Sequence, residues 1–308
     1  MQPKVLVIVG PTAVGKTALS LSLAEKYQGE IISGDSMQVY RQLDIGTAKV
    51  TPAERGSIPH FLIDIREVTE SYSSFDFKQL ATQKIHEITA RGHLPIIVGG
   101  TGMYIASLLK NFNLGGDKDD WERQQIRQAL EIELDQIGSQ QLWKRLNHID
   151  PDAAAKIPVQ NSRRTIRALE VIQQTGQLFS AQPLLDPEFD ATIIGLQTQR
   201  ERLYQRINQR VVQMIDTGLV DEAAWLFRHV SIESQSAKGI GYREFPPYLA
   251  GEQSLAQTIE QIQLDSRHYA KRQLTYFRHQ LPTTWYDLLE DPAASKRIEH
   301  KLETWLEK

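Results

Sequence analysis

Eight residues near the start of the chain, Gly10-Pro11-Thr12-Ala13-Val14-Gly15-Lys16-Thr17, follow the pattern GxxxxGK[ST], a spacing that builds a phosphate cradle. Its glycines let backbone N–H groups curl round a polyphosphate, and the start of the following helix adds partial positive charge. Lys16 would reach the outer phosphate, and the Thr17 hydroxyl would ligate Mg²⁺. Such a loop reads phosphate oxygens and metal rather than a base, so ATP, another nucleotide or a different diphosphate ester would each fit. Further on, Gly34-Asp35-Ser36-Met37-Gln38-Val39-Tyr40 sets a carboxylate just after a short apolar run. Spacing alone leaves Asp35 open to three roles: general base, helix N-cap, or outer-sphere partner of a magnesium ion.

The pattern has meaning only between a strand and a helix. Val5 to Val9 is a continuous apolar run, as a central parallel strand buried on both faces requires. From Lys16 to Tyr27, Leu19, Leu23 and Tyr27 recur at helical spacing. Glu30 to Ser33, Phe61 to Ile65, Leu94 to Val98 and Ala191 to Leu196 are further strand candidates. Arg200 to Met214 and Ser266 to Gln280 are long helical patterns that should return to the sheet. The expected fold class is α/β, a P-loop NTPase-like parallel sheet core. After the strand at Leu94, Gly99-Gly100-Thr101-Gly102 fails as a dinucleotide fingerprint, because Ile105 stands where a small residue is needed. It is either a tight turn or, with Thr101, a second wall of the same site.

Beyond Gly115-Gly116 the chain becomes rich in Gln, Glu and Ala with helical patterns and no strand, until the segment from Gln182 to Phe189 holding Pro183 and Pro187. This predicts a mostly helical insertion domain over residues 116–191, between a first part of the core at 1–115 and a second at 192–308.

The 308 residues carry 35 Lys and Arg against 38 Asp and Glu, a net charge of −3, so any nucleic-acid surface must be a local patch. The absence of cysteine excludes disulfides, thiolate-ligated zinc and a Cys nucleophile. The run Val5 to Val9 is too short for a signal-peptide core or a membrane span, so no membrane partner and a cytoplasmic location are expected. His86-Glu87 lacks the second histidine of an HExxH metal site. Asp64, at the end of the Phe61 strand, has the look of a Walker B acid and keeps a small-metabolite kinase as the rival reading.

Taken with the phosphate loop, Asp35 to Tyr40, Asp44-Ile45-Gly46-Thr47-Ala48-Lys49 and Val98-Gly99-Gly100-Thr101-Gly102-Met103-Tyr104 closely resemble segments of the bacterial tRNA dimethylallyltransferases (tRNA isopentenyltransferases). So do Arg163-Arg164-Thr165-Ile166-Arg167-Ala168-Leu169-Glu170, Gly239-Ile240-Gly241-Tyr242-Arg243-Glu244 and Lys271-Arg272-Gln273-Leu274-Thr275-Tyr276-Phe277-Arg278. The resemblance runs in order over nearly the whole chain. It implies transfer of a dimethylallyl group from dimethylallyl diphosphate to N6 of the adenosine immediately 3′ of the tRNA anticodon, assisted by Mg²⁺ and without ATP hydrolysis. It implies Asp35 as the base on N6, with Thr12, Lys16, Thr17, Thr101 and Arg210 around the diphosphate and its metal. Gly34 and Lys238 stand where the family often has another small residue and an arginine.

An exocyclic adenine amine is a poor nucleophile, so a carboxylate placed to take its proton suits the reaction. The departing diphosphate calls for cations such as Lys16 and Arg210. Arg206 and Arg210 share a helical face, and Arg206 is read as a solvated surface charge. The target base must leave its stack to reach a sheet edge, with Ser36, Met37 and Gln38 beside Asp35 to read it. Between Ser266 and Trp285 there is no acidic residue, while Arg267, Lys271, Arg272 and Arg278 mix with Tyr269, Tyr276 and Phe277, a composition suited to phosphate contact and base stacking. Arg163, Arg164 and Arg167 cluster similarly in the insertion, and Lys238, Gly241, Tyr242 and Arg243 complete the expected contacts with the anticodon stem-loop. The chain is expected to act as a monomer.

Overall fold

The computed structural model describes residues 2–112, 120–182 and 185–307, with backbone alone for 120–124. Its six strands are Lys4–Val9 (β1), Gly29–Ser33 (β2), His60–Phe61 (β3), Leu94–Gly99 (β4), Asp190–Leu196 (β5) and Thr284–Tyr286 (β6). All pair in parallel, in the order β3-β2-β4-β1-β5-β6. Val5 through Val9 have no exposed surface, because β1 lies mid-sheet with Val7 beside Ile97 on one side and Ile193 on the other. Both faces of that strand are covered by helices, which is why its sequence is apolar without alternation.

The helices are Lys16–Lys26 (α1), Pro52–Arg55 (α2), Ser74–Ala90 (α3), Gly102–Leu109 (α4), Asp120–Ile149 (α5), Pro151–Ala154 (α6), Ser162–Thr175 (α7), Arg200–Asp216 (α8), Leu219–His229 (α9), Pro246–Leu249 (α10), Leu255–Gln280 (α11) and Ala294–Leu306 (α12). The chain divides into two compact units, Met1–Lys110 with Pro187–Lys308, and Asn111–Asp186. In the second unit α5 bends at Gly138, whose φ of 78° breaks the helix. Leu142, Leu146, Ile166 and Leu169 form its core, and the buried Asp150 carboxylate accepts the N–H groups of Ala153 and Ser180. The expected boundary at Gly115-Gly116 and Pro183 lie outside the described residues.

The sheet order decides where a ligand sits. From β1 the chain leaves toward β2 on one side, whereas from the adjacent β4 it returns by way of the second unit to β5 on the other. Connections that part from neighbouring strands open a crevice beyond their carboxyl ends. The phosphate loop follows β1 and the Gly99 to Gly102 turn follows β4, so both border that crevice.

Three elements differ from expectation. The strand predicted from Phe61 to Ile65 is only His60–Phe61, since Leu62 (φ 59°) and Asp64 (φ 57°) turn into the left-handed region and leave extended geometry. Residues Ser266 to Gln280 are the second half of α11, which starts at a capping box between Ser254 and Gln257. The edge strand β6 was not foreseen; three residues after a proline give too short a pattern to read.

Candidate active site

At the end of β1 the backbone turns at Gly10 with φ 146°, and a Cβ there would stand 2.6 Å from the Leu196 carbonyl oxygen. Ala13 adopts φ 63°, an uncommon conformation for a residue with a Cβ. Its carbonyl accepts the Arg206 Nε–H at 2.8 Å, so the arginine, exposed as its reading as a surface charge expects, also braces the loop. The Thr12 N–H donates to Gln273 Oε1 at 3.2 Å. Gly15 opens α1 at φ 107°. With Pro11 and Val14 buried beneath it, the loop from Gly10 to Thr17 is a fixed cradle whose amides lie at a helix N-terminus.

Lys16 Nζ donates to the Gly10 and Pro11 carbonyls at 3.0 and 2.7 Å. Burial, reinforced by the Arg210 charge and opposed by Asp35, lowers its pKa to about 8. Arg210 reaches from α8, with Nη1 donating to Thr12 Oγ1 at 3.4 Å. Its pKa is lowered by burial while Asp35 works in the opposite direction. Two cations and one carboxylate therefore share a desolvated region, where each is worth more to a charged ligand than in water.

Asp35 follows β2. Its Oδ1 accepts the backbone N–H groups of Met37 (2.8 Å) and Gln38 (3.4 Å), while Oδ2 makes no hydrogen bond among the described residues. One oxygen thus fixes the carboxylate and the other has no protein partner among the described residues. Thr101 Oγ1 accepts the Ser36 N–H at 3.0 Å and donates to Ser36 Oγ at 3.3 Å, tying the turn after β4 to the turn after β2. The second glycine cluster is a tight turn whose Gly99 and Gly100 line the cavity, whereas Thr101 is not among the lining residues and meets Ser36 instead. A side chain on Gly99 would strike the Gly34 backbone and one on Gly100 would strike Gln273, and both glycines face the cavity.

That cavity, about 440 Å³, has Thr12, Lys16, Thr17, Asp35, Arg210 and Gln273 among its polar lining residues. Apolar wall comes from Val50, Ile63, Ile207, Val211 and Met214. Ser36, Met37, Gln38, Lys238, Gly241, Tyr242, Arg243 and Arg272 also face it. Among the described residues no group of three or more His, Asp or Glu is placed to hold a metal. The only metal such a wall suits is one held largely by its ligand's phosphates plus the Thr17 hydroxyl, which is how Mg²⁺ is commonly bound.

Other sequence-predicted residues are placed differently. Lys271 and Arg278 are exposed on α11 outside the cavity lining, Arg278 donating to Gln197 and stacking over Trp285. Lys238 pairs with Glu233 at 3.0 Å, and Arg243 with Glu244 and Asp265. The Tyr242 hydroxyl is buried and donates to Glu222. In the second unit Arg163 and Arg164 are exposed, whereas Arg167 donates to the buried Glu170 at 2.6 Å. Phe277, expected among the stacking aromatics, has no exposed surface and belongs to the core, while Tyr269 remains in the cavity wall. Asp64 is no Walker B acid in position: it pairs with Lys49 at 2.6 Å and does not line the cavity. Gln273 lay within a recognised motif without an assigned task, and Glu222 carried no sequence signal beyond an acid in the first turn of α9.

A family model described as IPP transferase matches residues 38–280. The chain is similar to the tRNA dimethylallyltransferases of Latilactobacillus sakei (53% identical over 306 residues, 99% of each chain) and Limosilactobacillus fermentum (54% over 305 residues, 99% of each). Among solved structures it is similar to a tRNA isopentenylpyrophosphate transferase from Bacillus halodurans, with 45% identity, a TM-score of 0.75, and coverage of 99% of this chain and 97% of that one. It is also similar to a eukaryotic dimethylallyltransferase acting on tRNA, with 30% identity, a TM-score of 0.82, and coverage of 96% of this chain and 77% of that one.

Proposed function

The chain belongs to the IPP transferase family, and on that premise we propose that it moves a dimethylallyl group from dimethylallyl diphosphate to N6 of the adenosine 3′-adjacent to the anticodon of tRNA. One observation carries this reading: the phosphate loop with its two cations and the Asp35 carboxylate face a single cavity with an apolar wall. The diphosphate rests on the backbone N–H groups of residues 13–17, with Lys16, Arg210, Thr12 and Thr101 around it, and the isoprenoid chain lies on the apolar lining. The extruded adenine amine attacks the first carbon of the donor. As the C–N bond forms, the C–O bond to diphosphate breaks, and Asp35 takes the proton from N6. Lys16 and Arg210 stabilise the negative charge gathering on the leaving group. Thr17 would hold Mg²⁺, which when bound neutralises part of the diphosphate charge.

Ser36, Met37 and Gln38 read the base, and Arg272, with Lys238, Gly241, Tyr242 and Arg243, forms the rim that the anticodon loop meets. Lys271 and Arg278 extend that contact, and Arg163, Arg164 and Arg167 in the insertion are separate contacts to the tRNA. The enzyme works as a cytoplasmic monomer; no helix among the described residues is long and apolar enough to cross a membrane.

The reading is tested by mixing protein, Mg²⁺, labelled dimethylallyl diphosphate and an unmodified anticodon stem-loop, alongside a parallel reaction with ATP and small metabolites. Label should enter the RNA only when the adenosine beside the anticodon is present, and chelation of Mg²⁺ should slow the transfer. A phosphorylated metabolite with unlabelled RNA would favour the kinase reading instead.

A further inference from the structure

We propose that Glu222, outside the cavity, is a positioning residue for base recognition that acts through Gln38; the inference rests on Gln38 reading the acceptor base as described above. Glu222 sits in the first turn of α9. Its Oε2 accepts the backbone N–H groups of Asp44 and Ile45 at 2.8 and 2.9 Å, and its Oε1 accepts that of Gly46 at 2.9 Å and the Tyr242 hydroxyl at 2.6 Å. Three consecutive amides turned toward one carboxylate form an anion-holding concavity of backbone, here filled by the protein's own side chain. Gly46 closes on the same assembly, for a Cβ there would stand 2.5 Å from the Tyr242 ring.

What this clamp holds is the next part of the loop. The Thr47 and Ala48 carbonyls accept Gln38 Nε2–H at 3.2 and 3.5 Å, and Gln38 Oε1 accepts the Ser33 hydroxyl at 3.0 Å. These contacts decide which way the amide faces, nitrogen toward the loop and oxygen toward β2. With both hydrogens engaged by the loop carbonyls, the amide keeps one further lone pair on Oε1 for a ligand's donor, and Gln38, Thr47 and Ala48 all face the cavity that holds Asp35. If the loop carbonyls drift, the amide is free to flip. A flipped amide presents donor where acceptor stood, which is the contrast that separates an adenine edge from other bases. Glu222 thereby governs acceptor selection without touching the acceptor.

The test compares the wild type with Glu222→Ala, Gln38→Ala and the double variant. Four quantities are read: kcat/KM for the stem-loop, the binding preference for a loop with adenosine over one with purine lacking the amine, donor Kd without RNA, and melting temperature. Each single variant should lose roughly tenfold or more in kcat/KM and a similar share of the adenosine preference. Because the two act as one unit, the double variant should fall no more than about threefold below the worse single. Donor Kd should stay within about twofold, and Glu222→Gln, which keeps one acceptor oxygen, should recover part of the loss. Multiplying effects in the double variant, or an unchanged adenosine preference beside a lower melting temperature, would show that Glu222 merely holds the fold and would overturn the proposal. Absence of labelled RNA with the wild type would instead bring down the functional reading, and this one with it.

Discussion

Asp35→Ala should lower single-turnover transfer by about 10²–10⁴, the range a positioned general base supplies, while RNA affinity stays nearly intact. The size follows from the division of labour between its two oxygens. Oδ1 is spent on the Met37 and Gln38 amides, so the carboxylate cannot rotate away, and Oδ2 makes no hydrogen bond among the described residues. Alanine removes the proposed proton acceptor and loosens the turn that carries Gln38. Asp35→Asn separates these effects, since its amide oxygen can still accept both backbone N–H groups but cannot act as a base at neutral pH. The asparagine variant should therefore be as slow as the alanine variant, with RNA affinity equally close to the wild type. Rapid-quench measurement of the transfer step decides the matter; an undiminished rate in either variant would remove Asp35 from the chemistry.

The second large effect concerns Lys16. Its ammonium, with a pKa lowered to about 8 by burial and by Arg210, must be protonated to meet a diphosphate. The sign follows: below about pH 8 the cation is already present and donor affinity is level in this respect. Above it, binding must take up a proton, and affinity falls toward tenfold for each further pH unit. Lys16→Ala removes both the charge and that dependence. Truncating one partner of a buried, charge-assisted contact costs about 2–5 kcal/mol, roughly 30-fold to several thousand-fold in Kd. Calorimetric titration with dimethylallyl diphosphate between about pH 7 and 9.5 should show a descending wild-type curve and a weaker, flatter variant. Parallel curves for the two proteins would mean that another group titrates.

The phosphate loop is legible in the sequence because its signal is local, whereas spacing places Asp35 at a strand end and leaves its role open. A continuous apolar run ending in glycine marks a central strand, and the loop's spacing is meaningful directly after it. Arg206 is exposed as its sequence suggests, but its bracing contact is hidden for the opposite reason: the partner is the carbonyl of Ala13, 193 positions earlier, and no pattern along α8 reveals it. Phe277 looked available for stacking within a basic, aromatic run, yet α11 is long enough to turn that residue to the core while Tyr269 and Arg272 face the cavity. Gly99 and Gly100 could be read as a turn from sequence, but the need for glycine at both comes from the Gly34 backbone and Gln273 pressing from other elements. Periodicity reports which way a side chain points along its own element. What it meets there is a property of the tertiary fold.

The most direct measurement is a crystal structure of the protein with a non-reactive thiodiphosphate analogue of the donor, Mg²⁺ and an anticodon stem-loop. The diphosphate should lie on the backbone N–H groups of residues 13–17, with the donor's first carbon between it and an extruded adenine whose exocyclic amine is within hydrogen-bond reach of Asp35. A diphosphate bound elsewhere, or an isoprenoid chain directed away from that carboxylate, would contradict the account.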